Sequence, residues 1–209
     1  MLNKWLWGLM FALSMMIVLI ASRYFTLDAD NFFPEQRQVY IAHTAGIVAH
    51  VSGAIVALAL GPLQFLPGLR AKRPQVHRVL GRVYLTGVLV GGVGGLYMAT
   101  FAYTGIVARA GFTALALLWL SSAVMAITSI RRGDVVAHQR WMIRNFALTF
   151  AGVTLRLQLM IFGVGLEFRT GYMLAAWTCW IGNVLFAEWL IRKRIKPPAV
   201  SHTARAQFA

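Results

Sequence analysis

The stretch that decides the fold is RPQVHRVLGRVYLTGVLVGGVGG, residues 73–95. It begins with cations around a histidine and continues into an apolar run that contains no acid. A bilayer core of ~30 Å is crossed by a helix of ~20 mainly apolar residues. The stretch therefore predicts a membrane-spanning helix that starts at a basic membrane edge, with Pro74 suited to the first helical position.

The rest of the chain is apolar in the same way. Of its 209 residues, 59% are hydrophobic and 12% are charged, whereas soluble domains are about 45–50% apolar and about 25% charged. Six runs are long enough to cross a bilayer: 5–24, 40–66, 76–103, 107–130, 138–163 and 172–191. We predict an all-α, integral membrane bundle of six transmembrane helices over 1–195, with the second to fifth helices as a four-helix core. Residues 196–209 are predicted to form a flexible cytoplasmic tail.

The distribution of charge predicts the orientation in the membrane. The net charge of +14 is not concentrated in a polar domain, so we expect no nucleic-acid partner. Fifteen of the 20 lysines and arginines fall on the side that holds the N-terminus, and four fall on the opposite side. Because cations are retained in the cytoplasm, we expect an inner-membrane protein with both termini cytoplasmic. The first run also resembles a signal peptide cleaved near Ala21, but its apolar length favours a retained helix.

A second basic cluster, RRGDVVAHQRWMIRN (residues 131–145), begins the fifth span in a similar way. Asp134 is a good N-cap, which places His138 in the first helical turn. The third and fifth spans run in the same direction, so His77 and His138 are expected at one depth near the cytoplasmic face. Polar residues and glycines share the helix face of each histidine, and such faces turn away from lipid.

Two facing imidazoles at one depth are the arrangement that bis-histidine ligation of a b-type haem requires. On this hypothesis His77 and His138 are the ligands of the haem iron. Arg82, Arg140 and Arg144 would bind the propionates. The alternative is that both histidines lie among lipid headgroups while the arginines set the topology and bind anionic lipid. The residues alone leave both interpretations open.

Two further residues are candidates for cofactor binding in the outer half of the membrane. His50 lies in the second span, but the fourth span contains no histidine to face it. Arg156 lies in the fifth span, where a cation is costly and is normally paired. It is expected to extend toward the outer interface, to bind backbone carbonyls, to pair with Glu167, or to meet an anionic group such as a quinone oxygen or a propionate.

Several motifs carry a family resemblance: GPLQFLPGL (61–69), PQVHRVLGRVYL (74–85), RRGDVVAHQRWMIR (131–144) and TLRL (154–157). They resemble those of a bacterial family of predicted membrane proteins known only as a domain of unknown function, over roughly residues 40–190. The chain is also similar to the ascorbate-reducible and ferric-reductase-like di-haem b cytochromes, whose four-helix core carries two cross-bundle histidine pairs. That likeness implies that His77 and His138 are the inner pair, and the chain departs from it because His50 has no partner.

The sequence therefore predicts a b-type haem electron-transfer protein that exchanges electrons with quinone or with a respiratory or photosynthetic membrane complex. The alternative is a non-catalytic membrane subunit that packs against partner helices and binds anionic lipid headgroups. Acids are too scarce for ion transport through carboxylates, and neither a phosphate-binding glycine loop nor an HExxH helix occurs in the sequence.

Overall fold

The computed structural model of the protein describes residues 3–195, and the predicted tail over 196–209 lies outside the described residues. Within that part, six helical spans are long and apolar enough to cross a membrane, which confirms the predicted fold class. The α-helices are α1 Lys4–Ser22, α2 Arg37–Ala42, α3 Thr44–Gln64, α4 Pro67–Lys72, α5 Pro74–Ala99, α6 Ile106–Arg131, α7 Val135–Thr149, α8 Ala151–Gly165 and α9 Phe168–Arg194. Three short 3-10 turns join α1 to α2.

The helix starts follow the local sequence signals. Pro74 occupies the first turn of α5, where a missing backbone N–H costs no hydrogen bond. The Asp134 carboxylate accepts a hydrogen bond from the Ala137 amide at 2.8 Å and so caps α7. Gly133 has a φ of 75°, a backbone conformation that favours glycine, and it turns the chain from α6 into α7. Both basic clusters therefore lead directly into spanning helices.

Two of the predicted spans are interrupted. The second run divides at His43, where a turn separates α2 from α3. The fifth run divides at Phe150, between α7 and α8. At this second break the Asn183 amide of α9 donates to the Ala147 carbonyl at 3.1 Å and to the Thr154 hydroxyl at 3.0 Å. A side chain from a neighbouring helix therefore satisfies polar groups that the interruption would otherwise leave in the hydrocarbon.

Glycines bring α3 and α5 into backbone contact. A Cβ atom added to Gly53 would lie 2.2 Å from the Gly91 nitrogen and 2.3 Å from the Gly87 oxygen. No side chain fits at that separation, so this pair of helices depends on glycine at the crossing point.

A buried hydrogen-bond network joins α5, α6 and α7. The Tyr84 hydroxyl donates to Asn145 Oδ1 at 2.6 Å and lies 2.9 Å from the Thr149 hydroxyl. The Trp119 indole donates to the Thr149 oxygen at 2.8 Å, and the Asn145 amide donates to the Trp119 carbonyl and to Ser122 Oγ. Every polar atom of the Asn145 side chain thus has a partner, which a fully buried amide requires.

The core forms around this network, where α3, α5, α6 and α7 meet. Gly61 of α3 packs directly against the Phe146 ring of α7, and Tyr84 lies beside them. From α9, Cys179 and Trp180 complete the same buried cluster. The four-helix core predicted for the second to fifth spans is therefore present, and the sixth span packs onto it.

Both ends of the described chain lie at one end of the bundle. The Trp7 indole near the start of α1 donates to the Pro62 carbonyl near the end of α3 at 2.9 Å. Arg140 near the start of α7 donates to the Ile195 carbonyl after α9 at 3.1 Å. We call this end the basic end; it holds the starts of α1, α5 and α7 and the ends of α3, α6 and α9. That it faces the cytoplasm stays a prediction from the charge distribution.

Candidate functional site

A large cavity lies at the basic end, and we call it the histidine cavity. Its volume is about 1270 Å³, and helices α1, α3, α5, α7 and α9 all contribute to its lining. His77 and His138 both line it, as does Arg82. Ligand pockets usually measure about 300–1000 Å³, so this cavity is larger than one small ligand needs.

His77 and His138 stand at equivalent positions relative to a hydrogen bond that joins α5 to α7. Tyr84 stands seven residues after His77, and Asn145 stands seven residues after His138. Seven residues make almost two complete turns, ~10 Å along the axis, and return to nearly the same helix face. The Tyr84 hydroxyl and Asn145 are hydrogen-bonded, and each lies on nearly the same helix face as the histidine of its helix. Both histidines line the histidine cavity, so the structure brings His77 and His138 to one site.

The ring of His138 is held so that one nitrogen remains free. Its Nδ1 lies 2.9 Å from the Ala126 carbonyl oxygen of α6. A carbonyl only accepts hydrogen bonds, so Nδ1 is the donor of this contact and Nε2 is not used in it. Metal-binding histidines usually have one nitrogen on a carbonyl and the other on the metal. His138 is in this respect prepared as a ligand.

His77 has an unsatisfied nitrogen at the same cavity. Its Nδ1 is buried and has no hydrogen-bond partner within residues 3–195. No group of three or more histidine, cysteine, aspartate or glutamate residues in the described chain could hold a metal ion. Both imidazoles line the cavity from different helices, and they are the residues that would hold the iron of a haem. The residues present therefore fit a b-type haem.

Gln64, at the end of α3, is a cavity residue to which the sequence pattern assigned no role. It is 7% exposed, and its Nε2 is buried without a hydrogen-bond partner among the described residues. Its Oε1 lies 3.3 Å from the position that a Cβ on Gly81 would occupy, so the amide rests against α5 one turn beyond His77. Gln64 stands in the GPLQFLPGL motif, and that motif was the only signal that could have drawn attention to it.

The predicted propionate ligands separate into two groups. Arg82 lines the cavity together with Arg70 and Arg78, and all three side chains are exposed at its rim. Arg140 and Arg144 do not belong to the lining. Arg140 instead donates to the carbonyl oxygen at the end of α9.

Arg144 is held by an ion pair on the side of the bundle. Its Nε and a terminal nitrogen donate to the two carboxylate oxygens of Glu188 at 2.5 and 3.1 Å. Its guanidinium also lies 4.6 Å from the centre of the Trp141 ring. This bidentate pair links α7 to α9 and leaves Arg144 occupied away from the cavity.

The two outer candidates lie apart from the histidine cavity. His50 Nδ1 is 2.8 Å from the Gly91 carbonyl of α5, so its proton is used within the α3–α5 contact. Arg156 donates to the Gly152 carbonyl at 2.7 Å, one turn back along its own helix. Of the arrangements expected for Arg156, the structure therefore has a hydrogen bond to a backbone carbonyl. No ion pair between Arg156 and Glu167 occurs among the described residues.

The fold and this cavity define a polytopic membrane protein with a histidine-lined site at one end of its bundle. The family model described as Predicted membrane protein (DUF2306) matches residues 47–191, and the chain belongs to this family. The match confirms the family resemblance and includes both histidine–arginine motifs. No curated protein and no solved structure matches the chain.

Proposed function

We propose that the protein is a b-type haem electron-transfer protein of the bacterial inner membrane, with His77 and His138 as axial ligands near the cytoplasmic face. One observation supports the proposal: His77 and His138 line a single cavity, and their two helices are hydrogen-bonded to each other two turns further along. A histidine that served only to contact lipid headgroups would have no reason to line the same cavity as a second histidine.

The neighbouring residues support this assignment. The Ala126 carbonyl fixes the ring of His138 with Nε2 free. Arg78 and Arg82 at the rim place cations where the propionates of the group would emerge. Arg140 and Arg144 keep a supporting role, since they tie the start of α7 to α9. When bound, a b-type haem supplies reversible one-electron chemistry.

Electron exchange is proposed to occur at the basic end, with quinone or a membrane complex as partner. The outer half offers His50 without a second histidine on α6, so the chain has ligands for one bis-histidine haem. A single site near one face can pass electrons to partners on that face or within the adjoining leaflet.

A difference spectrum tests the proposal. Protein purified in mild detergent from haem-replete cells is expected to show sharp Soret and α bands in a dithionite-reduced minus oxidised spectrum. His77→Ala and His138→Ala should each abolish them. His43→Ala is the matched control, because His43 stacks on Phe101 and bonds to Tyr97 outside the cavity. A featureless spectrum of the folded wild-type protein would refute the haem assignment.

The second candidate function is a non-catalytic subunit that binds anionic lipid, and the lining of the cavity favours it. Leu9 and Leu13 of α1 and Phe186 and Leu190 of α9 provide apolar walls, while exposed arginines stand at the rim. Acyl chains suit such walls, and phosphate suits such a rim. Native mass spectrometry distinguishes the two functions, since a haem protein retains a mass of one haem and a lipid-binding subunit retains phospholipid.

A further inference from the structure

The inner part of the histidine cavity contains a neutral donor and two aromatic rings, and we call it the cavity floor. It is formed by Gln64, Phe65, Gly81 and Phe146, all of which line the cavity. Gln64 is more than nine-tenths buried, yet its Nε2 has no partner in the described chain. A buried N–H donor without an acceptor is costly, so this amide is suited to an acceptor supplied by a ligand.

The rings beside Gln64 offer a flat apolar surface. Phe65 and Phe146 pack edge to face with centroids 5.3 Å apart. Aromatic side chains favour stacked or edge-on contact with another ring. A planar ring with an oxygen acceptor at its edge would therefore satisfy both the phenylalanines and the Gln64 amide.

The walls next to the floor continue to the lipid-exposed surface. Leu6 and Leu9 of α1 are 53% and 58% exposed, and Phe186 of α9 is 54% exposed, although all three line the cavity. The cavity thus reaches the surface between α1 and α9 through side chains that a bilayer would solvate. A ligand with a long apolar tail can enter here from the membrane and leave its tail between the two helices.

The absence of charge at the cavity floor determines which kind of headgroup can bind there after entry between α1 and α9. The arginines of the cavity stand at its exposed rim, and no acid lines it. Gln64 at the floor is neutral, and burying an anion there would cost more than burying a neutral carbonyl. We infer that the cavity floor binds the headgroup of a lipid-soluble quinone, which enters between α1 and α9 and accepts a hydrogen bond from Gln64. Only the role of this quinone as electron partner rests on the proposed haem function; its binding does not.

Binding is tested with decylubiquinone on the full chain in lipid nanodiscs. An azido derivative of the quinone is photolysed, and the labelled peptides are identified by mass spectrometry with and without excess decylubiquinone. Labelling is expected within α3 near Gln64 and within α7 near Phe146, and the excess quinone should suppress it. Labelling elsewhere, or labelling that excess quinone does not suppress, would overturn the inference.

Two pairs of variants make the test specific. Gln64→Leu should weaken decylubiquinone binding about tenfold, since one buried hydrogen bond is lost. Gln36→Leu is the control, because Gln36 is equally buried but lies outside the cavity. Leu9→Trp should hinder entry, whereas Leu19→Trp, on the exposed part of α1 away from the cavity, should not. Unchanged affinity in Gln64→Leu, or displacement of the quinone by anionic phospholipid, would contradict a quinone site.

A titration of the protein with decylubiquinone separates this inference from the haem proposal. It is run on protein from haem-replete cells and on protein from haem-deficient cells. Saturable quinone binding by protein from haem-replete cells that shows no haem spectrum would support the quinone site and remove the haem assignment. A haem spectrum without saturable quinone binding would support the haem assignment and overturn the quinone site.

Discussion

Tyr84 and Asn145 are joined by a 2.6 Å hydrogen bond, and each stands seven residues after a histidine of the cavity. The bond therefore sets the relative rotation and height of α5 and α7 two turns away from the proposed iron ligands. Within the described chain, this contact is the connection that relates the two histidine-bearing helices most directly.

Loss of this contact should lower stability and disturb the haem site together. Tyr84→Phe is expected to lower the free energy of unfolding by about 1 kcal/mol, because a buried membrane hydrogen bond contributes roughly that much. It should also broaden the α band, since the histidines are no longer held in one register. Thermal unfolding in detergent and the difference spectrum measure the two effects. Tyr103→Phe is the control, as the Tyr103 hydroxyl makes no hydrogen bond to a described residue.

The α3–α5 crossing should tolerate no side chain at Gly53. Gly53→Ala places a methyl group against the backbone of Gly91, and backbone cannot yield as a flexible side chain does. We expect the free energy of unfolding to fall by about 3 kcal/mol or more. Gly182→Ala is the matched variant, because no atom lies within 4 Å of its added Cβ. Equal melting temperatures for the two variants would show that the helices are not packed this closely.

Removal of Arg144 should affect stability, whereas removal of Arg82 should affect the reduction potential of the haem. Arg144→Ala breaks the ion pair with Glu188, so it is expected to lower stability by about 1 kcal/mol while the haem spectrum is preserved. Arg82→Ala removes a cation from the cavity rim and should lower the reduction potential, because a nearby cation favours the reduced, less positive haem. Potentiometric titration measures the shift. A lowered potential in Arg144→Ala instead would show that its charge acts on the site.

Membrane orientation is open to a cysteine-labelling test. The native Cys179 is buried and should stay silent toward a membrane-impermeant maleimide. In intact spheroplasts, Glu35→Cys should react, since the loop between α1 and α2 is predicted to be periplasmic. Arg132→Cys, between α6 and α7, should react only after permeabilisation. The reverse pattern would invert the predicted topology.

Features that depend on neighbouring residues along the chain could be predicted from sequence. Hydropathy defined six spans, and Pro74 and Asp134 marked two helix starts, because capping and membrane insertion are local properties. That His77 and His138 line one cavity agrees with the sequence, since both residues lie in the first turns of helices that begin at the same end of the bundle.

Features that depend on which helices are neighbours could not be predicted. Arg144 was expected at a propionate, but Glu188 lies near it only after α9 has packed on α7. The unpartnered amide of Gln64 becomes meaningful only once α3 and α5 enclose a cavity. The break at Phe150 was likewise hidden, because the sequence has no proline near this position to indicate the end of a helix. Hydropathy indicates which residues lie in the membrane, but it does not indicate which helix packs against them.

The break at Phe150 also bears on how the chain is assembled. Part of its polar backbone is satisfied by Asn183, a residue made more than thirty positions later in synthesis. Until α9 enters the bilayer, the Ala147 carbonyl has to be solvated by water or by the insertion machinery. The fifth span therefore reaches its final form only when the sixth arrives, and chains truncated before Asn183 should be retained by the insertion machinery or degraded.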